Sequence, residues 1–254
     1  MKGIIRFLLS FFIFFLSLGP FIYGKSVHAE SASKLINLSF TPYDTALDPV
    51  KPIIYMTELG SPKLYAINYS TGEIKQLTLP YPAERLDYYN NKIYVTQQKM
   101  NHTHYTTAPR FGAIAEVDTE NFNVSNTLDI DEDPYDIAVD KDGFIYISPG
   151  SDQHGNLRVY SMKDKTEITQ DKAKTSMYEW ADIRYNPKTS KIYAINTNLS
   201  PTDIKAYEIE KGVVQKSYGS PYQREYHIST FTKFSPDGLK IYNASGNVFS
   251  LAPN

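Results

Sequence analysis

Pro134-Tyr135-Asp136-Ile137-Ala138-Val139-Asp140-Lys141-Asp142-Gly143-Phe144-Ile145-Tyr146-Ile147-Ser148 reads as a strand, a tight turn and a second strand. Asp142-Gly143 suits a turn that needs positive φ. Phe144 to Ser148 is apolar at consecutive positions, as expected of a strand covered on both faces. Asn156 to Ser161 follows as a third strand, and a fourth begins near Thr166. The Ile145-Tyr146 pair recurs as Ile54-Tyr55, Ile93-Tyr94, Ile192-Tyr193 and Ile241-Tyr242, at separations of 39, 52, 47 and 49 residues along the chain. Turn residues precede every copy: Asp48 to Pro52, Asn90-Asn91, Asn186 to Ser190 and Ser235-Pro236-Asp237-Gly238. Third strands are expected at Lys63–Tyr69, Gly112–Asp118, Asp203–Ile209 and Asn247–Leu251.

Repeats of this length built from strands alone predict an all-β fold, a β-propeller of four-stranded antiparallel blades. Five blade repeats fall near residues 42–80, 82–130, 134–171, 179–218 and 228–254. The last stops after its third strand. Leu35 to Phe40 is the candidate outer strand that would close a five-blade ring and cover its sheet edge. The alternative is an incomplete ring, the front part of a seven-blade propeller, whose uncovered apolar faces would be sticky.

Lys92-Ile93-Tyr94-Val95-Thr96-Gln97 resembles the YVTN-type propeller repeat of YncE-like proteins. Phe234-Ser235-Pro236-Asp237-Gly238-Leu239-Lys240-Ile241-Tyr242 is similar to repeats shared by that family and TolB-like propellers. The resemblance implies a WD40-like propeller, commonly of seven blades. It also implies a fold that hosts binding proteins, lactonases, lyases and quinone-dependent dehydrogenase subunits. It therefore specifies shape and leaves chemistry open.

Residues 1–29 read as a signal peptide. Lys2 and Arg6 are basic, Phe7 to Leu18 is apolar, Gly19-Pro20 breaks the helix, and Val27-His28-Ala29 resembles a small-x-small cleavage site. The apolar run is short for a membrane span. The expectation is a secreted or cell-wall-associated protein of Gram-positive type, residues 30–254, without a span after cleavage; an uncleaved anchor is the alternative. The chain has no cysteine, which excludes disulfides and thiolate metal sites. Without Lys2, Arg6 and Lys25, 23 basic side chains face 28 acidic ones, and no Lys/Arg cluster exists. Nucleic acid is therefore not an expected partner.

In a propeller, loops joining second to third strands share one face with loops joining successive blades. Here these are 97–110, 149–155 and 196–202, with 131–134, 171–179 and 219–227. They hold His102, His104, His154 and His227. His102-Thr103-His104 could bind a divalent metal from an extended segment, with His154 as third ligand and Asp152 or His227 in support; otherwise it is a polar loop. Asp129-x-Asp131-x-Asp133 lacks the glycine and glutamate of a calcium loop and reads as a solvated acidic connection. Charges on the innermost strands (Glu84, Arg85, Asp87, Asp136, Glu179, Asp182, Arg184) are expected to pair around a wet channel. Tyr105, Arg110, Tyr135, Trp180, Tyr222 and Tyr226 are the candidate ligand-binding set, because aromatic and arginine side chains anchor partners well. Ser151 to His154 reads as a turn, since neighbours in one loop do not form a catalytic relay. No phosphate loop, H-E-x-x-H or G-x-S-x-G is present. The leading expectation is a cofactor-free binding protein for an extracellular protein, glycan or small molecule. The alternative is a metal-assisted lactonase- or lyase-like enzyme.

Overall fold

A computed structural model of the chain describes residues 35–105, 109–221, 225–230 and 232–251. The signal peptide reading and Tyr222 lie outside them. Among the described residues no helix is long and apolar enough to cross a membrane.

Five antiparallel sheets form the five blades of a β-propeller. Blade one holds β1 (Thr45–Leu47), β2 (Ile53–Thr57), β3 (Lys63–Asn68) and β4 (Ile74–Thr78). Blade two holds β5 (Ala83–Tyr89), β6 (Lys92–Gln98), β7 (Gly112–Asp118) and β8 (Asn123–Ile130). Blade three comprises β9 (Pro134–Val139), β10 (Phe144–Pro149), β12 (Arg158–Ser161) and β13 (Thr166–Glu167). Between β10 and β12, β11 (His154–Asn156) leaves the sheet and pairs with β14 (Ser176–Tyr178), which follows the short helix α1 (Lys172–Thr175). Blade four holds β15 (Asp182–Asn186), β16 (Lys191–Asn196), β17 (Asp203–Glu210) and β18 (Val213–Gly219). Blade five has three strands, β19 (Thr232–Phe234), β20 (Lys240–Asn243) and β21 (Val248–Ser250).

The Ile-Tyr pair has a simple physical role. Successive strand side chains point to opposite faces, so the Ile meets the preceding blade and the Tyr the following one. Tyr55 packs with Leu86 and Ile93 between blades one and two, and Tyr94 with Ile137 and Ile145 between two and three. Tyr146 joins Ile183 and Ile192 between three and four, and Tyr193 joins Ile241 between four and five. Those four tyrosines are at most 6% exposed, whereas Tyr242 of blade five is 46% exposed. Residues 35–40 form no strand, so they do not supply the candidate outer strand of blade five; Phe40 stacks instead on Tyr65 at 3.6 Å.

The turns follow their chemistry. Asn90 and Asn91 adopt φ of 47° and 58°, as a mirror-image hairpin turn requires, whereas Gly143, with φ of 85°, closes a three-residue loop by donating its amide to Asp140 O at 3.1 Å. Asp140 Oδ1 accepts the amides of Asp142 and Phe144, fixing the turn before β10.

A recurrent aspartate ties blades one to four in series. Asp44 accepts the Leu86 amide at 3.0 Å, Asp87 that of Val139 at 2.8 Å, and Asp136 that of Ile183 at 2.7 Å. Across the axis, Arg85 meets Asp182 at 3.5 Å and donates to the Tyr135 hydroxyl at 2.6 Å. Arg184 meets Asp136 at 2.8 Å. Of the seven innermost charges, Arg85, Asp136, Asp182 and Arg184 pair with one another, whereas Asp87 accepts backbone amides and Glu84 and Glu179 meet imidazoles. Burial pushes the Asp87 carboxyl up to about 6, despite the two backbone amides it accepts. Asp182 is also raised, by burial and then by the negative charge of Asp136.

Candidate functional site at the channel mouth

Residues 99–105, which follow β6, reach the mouth of the central channel and bring two imidazoles to buried carboxylates. His102 Nδ1 meets Asp133 Oδ2 at 2.8 Å, and its Nε2 meets both Glu84 oxygens at 3.0 and 3.1 Å. Glu84 and Asp133 are 1% and 0% exposed. Burial disfavours charge on His102, but the hydrogen bonds and negative charges of Asp133 and Glu84 outweigh it and push the imidazole up to about 10. His102 is therefore an imidazolium at neutral pH. Burial in turn raises Glu84, with His102 acting in the opposite direction.

Backbone geometry makes room for this ring. A Cβ on Gly150 would stand 2.3 Å from His102 Nδ1, so only glycine fits there. Ser151 Oγ donates to Asp133 Oδ2 and accepts the Thr103 amide at 3.0 Å, docking the loop onto blade three. His104 Nδ1 meets Glu179 Oε1, which also accepts from Asn198 Nδ2 at 3.1 Å. Trp180 lies 4.5 Å from the His104 ring. It holds φ of 57°, unusual for an aromatic residue. Its amide donates to Pro149 O at 2.9 Å and its indole to Gly150 O at 2.6 Å, which fix that conformation. Two carboxylate oxygens, Asp133 Oδ1 and Glu179 Oε2, are buried here without a hydrogen-bond partner.

Of the candidate ligand-binding residues, Tyr135 and Trp180 reach the mouth; Tyr135 lies under His102, edge to face at 5.9 Å. Arg110 borders it, with Nε 3.1 Å from Glu132 and Nη1 3.4 Å from Asp152. Tyr105 is 78% exposed on the same segment as the two imidazoles. Tyr226 packs instead against Phe249 in blade five. The histidines expected to share a metal do not converge. His102 and His104 are held by different carboxylates, and His154 stands on β11 against Tyr178. Among the described residues no group of three or more His, Asp and Glu is arranged to hold a metal.

The acidic connection is solvated only in part, Asp129 being exposed as expected. Asp131 is exposed, but Glu132 and Asp133 are buried at 2% and 0%. Ser151, read from sequence as a turn residue, is a buried part of the site. Its adjacency to a glycine at a blade-loop junction was the available signal.

The fold and mouth together define a β-propeller with a self-plugged, acidic channel entrance. No family model matches the chain, and no curated protein matches it by sequence. Similar solved structures include hydrazine synthase of Kuenenia stuttgartiensis, at TM-score 0.58 and 13% identity, over 83% of this chain and 57% of that one. The Malassezia sympodialis allergen Mala s 1 gives TM-score 0.54 and 13% identity, over 71% and 62%. A luciferin-regenerating enzyme gives 0.55 and 10%, over 84% and 73%. The chain thus spans less than two thirds of the length of the first two, and at such identities the likeness concerns the fold alone.

Proposed function

We propose that this chain is an exported, YVTN-like binding protein that takes a cationic ligand, an amine or guanidinium, at the channel mouth. The surplus of buried carboxylate there carries the reading. Glu84, Asp133 and Glu179 lie within one loop's reach, and Asp133 Oδ1 and Glu179 Oε2 have no partner. Buried carboxylates call for a compensating cation. Neighbouring rings already accept one: the Arg85 guanidinium sits 4.7 Å from the Tyr43 ring centre and 4.8 Å from that of Tyr135. Binding is favoured over metal-assisted chemistry because His102, the best-placed ligand, is committed to Glu84 and Asp133. Export rests on the reading of residues 1–29 as a signal.

Trp180 is the only tryptophan of the chain and sits at the mouth, so its emission reports this site. Titration with benzylamine or spermidine should give a saturable change, weakened at least tenfold by Glu179→Gln. Benzoate and N-acetylglucosamine should give none. A response to either of these in place of the amines, or indifference to Glu179→Gln in a folded variant, refutes the reading.

A further inference from the structure

Blade three breaks the strand pattern that blades one, two and four follow, and a cavity lies beside the break. Its third strand is interrupted at Leu157, and β11 turns from β10 to pair with β14. The resulting ribbon stands between blades three and four and borders a cavity of about 780 Å³. That volume lies within the range of small-molecule sites. The floor is apolar, formed by Met177, Ala181, Ala194 and Tyr207, all at most 7% exposed.

The rim is basic and short of counter-charge. Lys205 Nζ donates to the Ser176 carbonyl at 2.6 Å and hydroxyl at 3.1 Å, and lies 5.3 Å from the Tyr207 ring centre. Among the described residues it forms no ion pair, although burial works against its charge and Asp203 offsets this only in part. Asp203, the one carboxylate of the lining, accepts the Ser220 amide at 3.2 Å. His154 lies tilted against the Tyr178 ring at 5.3 Å, and neither of its ring nitrogens has a hydrogen-bond partner among the described residues. A half-buried ammonium above an apolar floor, with a free imidazole beside it, matches an anion attached to an apolar body.

We propose that this cavity binds a small organic anion, a carboxylate or sulfonate on an apolar or aromatic body. Its charged group would meet Lys205 and His154, and its body would rest on Met177 and Tyr207. The probe is 8-anilinonaphthalene-1-sulfonate, excited directly, with the neutral dye N-phenyl-1-naphthylamine as control. One saturable sulfonate site is expected. Lys205→Met should weaken it at least tenfold while leaving the neutral dye unchanged. Ala173→Trp, a change at an exposed wall position on α1, should fill the cavity and abolish both. Glu179→Gln should leave sulfonate binding intact, which separates this site from the mouth. Circular dichroism establishes that each variant is folded. The proposal is overturned by absent sulfonate binding, by binding indifferent to Lys205→Met and Ala173→Trp, or by equal loss of the neutral dye in Lys205→Met.

Discussion

His102 shows how a single side chain can be both plug and clamp. It joins the inner strand of blade two, through Glu84, to the connection into blade three, through Asp133. Its folded pKa of about 10 lies above the ordinary 6.5. The folded state therefore holds the extra proton, and this stabilisation is complete below pH 6.5 and lost as pH rises toward 10. His102→Gln leaves two buried carboxylates facing each other and should cost about 3–5 kcal/mol near pH 7, the usual penalty for breaking a buried pair. Urea unfolding from pH 6 to 10 should show wild-type stability falling and the variant's profile flatter; parallel profiles would contradict this account. Sequence alone placed His102 and His104 on the β6–β7 loop, because blade geometry fixes which loops share a face. It did not reveal their partners. Glu84 lies 18 residues and Asp133 31 residues away in the chain, and no local pattern encodes such meetings.

At the level of strands, the repeat was legible because its signals are local: apolar pairs, Asp-Gly and Asn-Asn turns, and near-constant spacing. The irregular parts were not. Nothing near Asn156 signals that β11 will abandon its sheet; the choice is made by β14, some 20 residues on, which supplies the ladder partners of His154 to Asn156. The aspartate ties were also hidden, since each reaches the next blade's backbone. Asp136 serves the buried Ile183 amide and the Arg184 guanidinium at once. Asp136→Ala strands both and should cost about 3–5 kcal/mol. Glu73→Ala, which removes an exposed pair with Lys75, should cost less than about 0.5 kcal/mol. Chemical denaturation of the two variants makes the comparison, and similar losses would mean that the inter-blade tie contributes little.

For the molecule as a whole, stability in a repeat array is carried by neighbour-to-neighbour interfaces. Among the described residues four such interfaces are filled, and Tyr242 and Val248 of blade five are about half exposed. The bridge from Arg85 to Asp182 is of another kind, because it skips a blade. It closes a thermodynamic circuit through blades two, three and four, so none of the three can detach without straining the other two. Amide exchange should accordingly find β5, β9 and β15 opening as a single cooperative block, with β19 exchanging well ahead of them. Arg85→Leu should split that block into separately exchanging units, much as removing a keystone lets the stones of an arch settle one by one.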